Sequence, residues 1–250
     1  CGSKSLGDTL AWFPYALEFK KKHNCHLIVS TFWNKFFKNK YPELTFEEPG
    51  VEVPNLYAMY ELGWYYDDET DVLDKFKQPY DPKSFNLQQP ATNILGLEYK
   101  EIIPKIEYKV KDRPCKEKYI CISPHASAGA KYWQHPTGWQ DIIDYINNTL
   151  KYKVLLISHE GHNDSFHNSK LPGGKKLKNV VDFTGDHPIE DIMSIIHHSE
   201  LYIGVSSGLA WLTWALNKPT LMISGFSSEW TEFSSKMTRI INKDVCNSCF

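Results

Sequence analysis

The sequence of 250 residues has no apolar run long enough to cross a bilayer. Its opening lacks the basic, apolar and small-residue order of a secretory signal, so the expected compartment is the cytoplasm. A dominant charge is equally absent: 28 Lys and Arg face 30 Asp and Glu, and a net charge of -2 gives no general pull toward nucleic acid or anionic membrane. Six cysteines are too few for a disulfide scaffold in a chain of this length. Cys1, Cys25, Cys115 and Cys121 show no paired spacing, and Cys121, inside an apolar run, reads as a small core residue. His125, His135, His159 and His162 form no HxxxH pair on one helix face and are expected to be exposed loop residues. What is abundant is core material: 42% hydrophobic and 14% aromatic residues suffice for one large or two modest domains.

The most informative stretch is Tyr202-Ile-Gly-Val-Ser206-Ser207-Gly208-Leu-Ala-Trp-Leu-Thr-Trp-Ala-Leu216. Leu201 to Val205 is an apolar run of strand type, Ser206 to Gly208 is a tight polar turn, and Leu209 to Leu216 has helical spacing closed by Asn217-Lys218-Pro219. A strand that turns through Ser-Ser-Gly into a helix aims free backbone N–H groups and the positive end of a helix dipole at one point, which suits a diphosphate. An ordinary β–α turn whose serines only cap the helix fits the same residues.

From the start of the chain, Gly2-Ser-Lys-Ser-Leu-Gly7-Asp8-Thr9 reads as a glycine turn entering an amphipathic helix, with Asp8 either a functional carboxylate or an N-cap. A strand at Cys25 to Ser30 completes a loop-helix-strand unit of the doubly wound kind, and the strand expected before Gly2 is missing. Residues 31–80 carry Phe32-Trp33, Phe36-Phe37, Tyr57, Tyr60 and Trp64-Tyr65-Tyr66-Asp67-Asp68, either core aromatics or stacking platforms for sugar rings. A helix is expected at Asn93 to Leu97, and the charged segment Ile106 to Glu117 reads as a linker between two halves.

The second half repeats the rhythm. Strands are expected at Tyr119 to Pro124, Lys153 to Ser158, Val180 to Thr184, Leu201 to Val205 and, last, Thr220 to Ser224. Helices are expected at Trp139 to Leu150 and Pro188 to His198. Such alternation argues for a parallel sheet, which binds ligands at the carboxyl ends of its strands. Ala126 to Lys131, Ser158 to Glu160, Thr184-Gly185 and Ser206 to Gly208 then share one rim. Lys131 can neutralise phosphate charge opposite the N–H groups of Ser207 and Gly208, and Glu160 can accept ribose hydroxyl hydrogens.

The GxxxxGD opening, the SPHASAGAKYWQ loop, the DFTG element and the GVSSGLAWLTWALNKPT segment resemble the ADP-heptose-using glycosyltransferases of the heptosyltransferase superfamily, above all the branch that heptosylates autotransporter adhesins. The resemblance covers nearly the whole chain. It implies an α/β fold of the GT-B type, with two Rossmann-like domains whose parallel sheets face a cleft: residues 1–112 as the acceptor-side domain and 113–250 as the nucleotide-sugar domain. It implies Asp8 as general base, flanked by Gly7 and Thr9, Lys131 at the diphosphate, Glu160 at the nucleoside, Thr184 and Gly185 on the adenine side, and Ser206, Ser207 and Gly208 at the phosphates. No cofactor is required for catalysis.

Where lipopolysaccharide heptosyltransferases carry a DTGxxH-like element, this chain has Ser206 to Trp211, so contacts of that element do not transfer, and the change favours the protein-modifying branch. That branch carries a cysteine-ligated iron finger, of which Cys246 and Cys249 would be the first two ligands. The expected partners are ADP-heptose, an adhesin acceptor offering serine hydroxyls, and further copies of the chain. The opening inside a motif and the closing Cys-x-x-Cys read as a core shortened at both ends. A GT-B transferase or epimerase using a UDP-type sugar, and a non-catalytic carbohydrate-binding scaffold, stand as alternatives.

Overall fold

The computed structural model describes residues 1–65, 70, 72, 74, 75, 77, 81–159 and 176–248. The chain groups into two units, Cys1–Glu107 with Trp230–Phe233, and Tyr108–Glu229 with Ser234–Phe250.

In the first unit, α1 (Leu6–Trp12) starts at Ser5, which fills the N-cap position, and Asp8 sits in the first turn. The capping role considered for Asp8 therefore belongs to Ser5, three residues earlier, because extended backbone at Ser5 lets its hydroxyl face the Asp8 amide. Pro14 cannot continue the hydrogen-bonding of α1 but suits a first helical turn, so a second helix, α2 (Pro14–His23), follows. The strand expected over Cys25 to Ser30 is shorter: β1 (Ile28–Ser30) pairs in parallel with β2 (Thr45–Glu47). The helix expected at Asn93 to Leu97 lies earlier, as α3 (Gln89–Leu95), because Pro90 suits its first turn and Gly96, at φ 61, ends it in a left-handed conformation.

Aromatics hold this unit together. Phe13 stacks on Phe37 at 3.8 Å, Trp12 meets Trp64 edge-on, and the Trp12 indole donates to Leu87 O at 2.7 Å. Phe36 and Phe37 are core, whereas Phe32, Tyr57 and Tyr60 are exposed. Tyr66, Asp67 and Asp68 lie outside the described residues. Residues 230–233 join this unit because Asn86 and Leu87 bond to the carbonyls of Glu232 and Thr231, and the Trp230 indole donates to Lys83 O.

The second unit is built on β3 (Tyr119–Ser123), β4 (Lys153–Ser158), β5 (Val181–Thr184), β6 (Leu201–Val205), β7 (Thr220–Ile223) and β8 (Met237–Ile240). All pairings are parallel, in the order β5-β4-β3-β6-β7-β8. β7 is therefore not the last strand. Its neighbour β8, Met-Thr-Arg-Ile, is an edge strand with two exposed positions, and its mixed polarity hides it from a search for apolar runs.

β3 is buried at every position, as a strand covered on both faces must be. Ile120 and Ile122 join Val154, Leu156, Ile203 and Val205 under Trp139 and Ile143 of α4 (Gly138–Tyr145). On the other face the Tyr119 hydroxyl donates to Ile195 O of α5 (Ile189–His198). The segment read as linker is fixed to α5 as well: Lys111 N donates to Ser194 Oγ at 2.8 Å, and the Tyr108 hydroxyl meets His197 Nδ1 at 2.8 Å. α6 (Gly208–Ala215) follows β6 and buries Trp211, Leu212 and Trp214. Cys121 is fully buried, and desolvation pushes its thiol pKa up to about 12, which leaves it an inert core residue.

Candidate functional site

The strand order fixes where a ligand can lie. From β3 the chain moves to β4 and β5 on one side, whereas β6, β7 and β8 run out on the other, so the direction of winding reverses between β3 and β6. At such a reversal the loops leaving two adjacent strands diverge and open a crevice at their carboxyl ends. The loops leaving β3 and β6 are those that carry Lys131 and Ser206 to Gly208.

After β6, Ser206 is buried and Ser207 takes the extended N-cap conformation (φ -156, ψ 168), with its Oγ accepting from Ala210 N at 3.4 Å. Gly208 is exposed, so the first turn of α6 presents its amides on the rim. After β3 the chain turns inward before it reaches the surface. His125, expected to be exposed, is only 8% exposed and meets Tyr132 edge-on at 5.5 Å, because the Ser123-Pro-His run continues the buried line of the strand.

A single 3-10 turn, Gly129–Lys131, then brings up Lys131, whose ammonium makes no hydrogen bond or ion pair among the described residues. The far side of this loop is anchored by Trp133. A Cβ at Gly138 would stand 2.2 Å from its ring, so glycine there lets the indole lie against α4, and Trp139 packs edge-on to it at 5.5 Å.

The remaining rim positions are farther along the sheet. Asp182 Oδ1 accepts from both Thr184 N (2.9 Å) and Thr184 Oγ1 (2.7 Å), and Gly185 N donates to Ser158 O at 2.9 Å. Gly185 has φ +103, a conformation side chains rarely adopt, and it turns the backbone sharply at the strand end. Three strand spacings separate β5 from β6, about 14 Å, so Thr184 and Gly185 can meet only the far end of a ligand held at Gly208. Glu160 and His162 lie outside the described residues.

In the first unit, the Asp8 carboxylate accepts from Ser3 Oγ at 2.7 Å and is half-buried. Gly7 is buried, and Thr9 is fully buried with its hydroxyl donating to Ser5 O at 3.1 Å, which gives Thr9 a structural part within the helix. A cavity of about 720 Å³ in this unit is lined chiefly by apolar side chains, among them Phe13, Phe19, Leu27, Met59 and Leu95, a lining unsuited to a diphosphate.

Cys246 is exposed and Cys249 lies outside the described residues. No group of three or more His, Cys, Asp or Glu suited to a metal occurs among the described residues, so these do not by themselves supply a full ligand set for iron. No described helix is long and apolar enough to cross a membrane.

A parallel sheet with a loop-borne cation and a serine-capped helix N-terminus on either side of its winding reversal has the chemistry to hold an anion. The chain belongs to glycosyltransferase family 9 (heptosyltransferase), whose model matches residues 71–250. It is 33% identical over 254 residues to the autotransporter heptosyltransferase BAHTCr of Citrobacter rodentium, across 98% of this chain and 58% of that protein. It is 28% identical to the inactive autotransporter heptosyltransferase BimC of Burkholderia thailandensis, across 99% of this chain and 57% of that protein.

Among solved structures it superimposes on the iron-containing dodecameric glycosyltransferase TibC of enterotoxigenic E. coli with a TM-score of 0.83 and 30% identity, over 99% of this chain and 62% of TibC. TibC has also been solved with ADP-D-beta-D-heptose, and that structure matches with a TM-score of 0.82 and 30% identity, over 98% of this chain and 62% of TibC. The chain thus spans about three-fifths of the length of these relatives.

Proposed function

We propose that this chain is the GT-B core of a cytoplasmic glycosyltransferase that moves heptose from ADP-heptose to serine hydroxyls of an autotransporter adhesin. In this reading residues 1–112 form the acceptor-side Rossmann-like domain and residues 113–250 the donor domain. The observation that carries it is the winding reversal flanked by Lys131 and by the Ser207-capped α6. The amides of Ser207 and Gly208 hold the donor diphosphate, Lys131 neutralises it, Glu160 takes the ribose, and Thr184 and Gly185 take the adenine end. Family membership and the resemblance to autotransporter heptosyltransferases support the choice of donor and acceptor.

Asp8 removes the proton of the acceptor serine as its oxygen bonds to the anomeric carbon. The bond from that carbon to ADP breaks at the same time, with the electron pair passing to the diphosphate, where Lys131 and the helix amides stabilise it. Catalysis by these groups requires no metal. Cys246 and Cys249 are proposed as two of the four ligands of a structural iron, in line with the iron-containing TibC, and the chain is proposed to self-associate, as the dodecameric TibC does.

The experiment is calorimetric titration of the chain with ADP and with UDP. ADP should bind in clear preference to UDP, and Lys131→Ala should weaken ADP binding roughly 10- to 100-fold, the usual worth of a charge-assisted contact. Preference for UDP would overturn the ADP-heptose assignment. A second reading, a catalytically silent member that keeps the fold, is favoured by the resemblance to the inactive BimC, and nucleotide binding without transfer would decide for it.

A further inference from the structure

Parallel strands leave the polar groups at their carboxyl ends facing the crevice, and such groups are normally hydrogen-bonded once buried. Among the buried polar atoms of the second unit that are not, two lie side by side. The Tyr202 hydroxyl and Ser123 Oγ are both fully buried and make no hydrogen bond of ordinary geometry among the described residues, although the Ser207 and Ser123 hydroxyls lie close enough to the phenol to oppose the rise in its pKa. They lie on adjacent strands, β6 and β3, on the sheet face that Tyr119 turns toward α5, and Ser123 is in register with Gly204.

Tyr202 reaches this place because residue 204 has no side chain. A Cβ there would stand 2.6 Å from the Tyr202 hydroxyl, so the phenol lies along β6 over Gly204 and carries its oxygen toward the strand's carboxyl end. That end leads into Ser206 and Ser207, directly at the winding reversal. Burial raises the phenol pKa to about 12 against the opposing influence of the Ser207 and Ser123 hydroxyls, so it remains a proton donor across the physiological range.

Ser207 cannot use its hydroxyl oxygen in only one way. It accepts from Ala210 N at the long distance of 3.4 Å. A phosphate over the α6 N-terminus draws the Ser207 hydroxyl hydrogen toward itself, and the oxygen then needs a donor from the protein side.

We propose that Tyr202 is a positioning residue of the anion site: seated over Gly204 beneath the Ser206–Gly208 turn, it donates to Ser207 Oγ when that side chain engages a phosphate, with Ser123 as the phenol's second neighbour. The arrangement rests on the nucleotide reading and adds to it a residue that never touches the ligand. A buried hydroxyl short of partners is costly to the fold, and a hydrogen bond made on anion binding recovers part of that cost.

The test is ADP titration together with thermal unfolding of wild type, Tyr202→Phe, Ser207→Ala and the double variant. Tyr202→Phe keeps the ring and removes only the hydroxyl, so its melting temperature without ligand should equal or exceed that of wild type. Its ADP affinity should fall roughly 5- to 10-fold, the worth of one hydrogen bond. The double variant should bind no more weakly than Ser207→Ala, because both changes interrupt one relay. Should Tyr202→Phe lose more than a few degrees, Ser123→Ala reads the same relay and should weaken ADP binding measurably. Wild-type ADP affinity in Tyr202→Phe, or in Ser123→Ala where that variant is used instead, or fully additive losses in the double variant, would overturn the proposal. Failure of wild type itself to bind ADP would overturn the nucleotide reading, and the relay with it.

Discussion

Asp8→Asn should reduce heptosyl transfer roughly 10²- to 10⁴-fold, the usual contribution of a general base, while ADP affinity stays at the wild-type value. Asparagine has the shape of aspartate and can still accept from Ser3 Oγ through its carbonyl oxygen, so the first turn of α1 keeps its geometry. Only the capacity to take a proton is lost. Ser5, rather than Asp8, caps the helix, so the change should cost little stability. The measurement pairs a transfer assay, with ADP-heptose and an adhesin fragment, with calorimetry on the same preparation. Transfer that survives would assign the proton to another group, and lost ADP binding would make Asp8 structural.

Trp214→Ala should lower the stability of the chain by about 3–5 kcal/mol, the range for truncating a large buried aromatic. Trp214 is 1% exposed, packs edge-on to Trp211 at 5.2 Å and donates from its indole to Ser235 Oγ at 3.0 Å. Alanine removes all three and leaves a cavity beneath α6. Urea unfolding followed by tryptophan-independent circular dichroism would show the midpoint fall with an unchanged slope. Because α6 carries the Ser207 and Gly208 amides, ADP affinity should fall as well. Trp214→Phe, which keeps a ring and loses the indole donor, should recover most of the stability. A loss below about 1 kcal/mol in the alanine variant would mean that the site collapses to fill the gap and that α6 is not held by this residue.

Much of the donor unit was legible because its signals are local. β3, β4 and β6 are short apolar runs followed by polar residues; the observed bounds of β4 and β6 are those read from the sequence, and β3 ends one residue earlier, before Pro124, which has no N–H to give the ladder. The Ser206–Gly208 turn and the start of α6 follow from a capping serine before an apolar helical run. What escaped has non-local causes. β8 is a mixed-polarity edge strand held by pairing with β7 and by its Arg239 side chain, which donates to Ser224 Oγ at 2.7 Å. The burial of His125 depends on Tyr132 folding back over it, and the assignment of residues 230–233 to the first unit depends on carbonyls meeting Asn86 and Leu87 across more than a hundred residues of chain. The first unit was read less sharply than the second because its two described strands have three residues each, too short for periodicity to mark their ends.

The sequence by itself determined the alternation of strands and helices, the parallel sheet with polar carboxyl ends, and the residue types available there for an anion. It did not determine strand order, since register and neighbour choice come from packing across both sheet faces. Only the tertiary structure put β3 beside β6, which placed the Lys131 loop and the α6 N-terminus at one crevice and set the buried Tyr202 hydroxyl beneath it, over the bare Cα of Gly204.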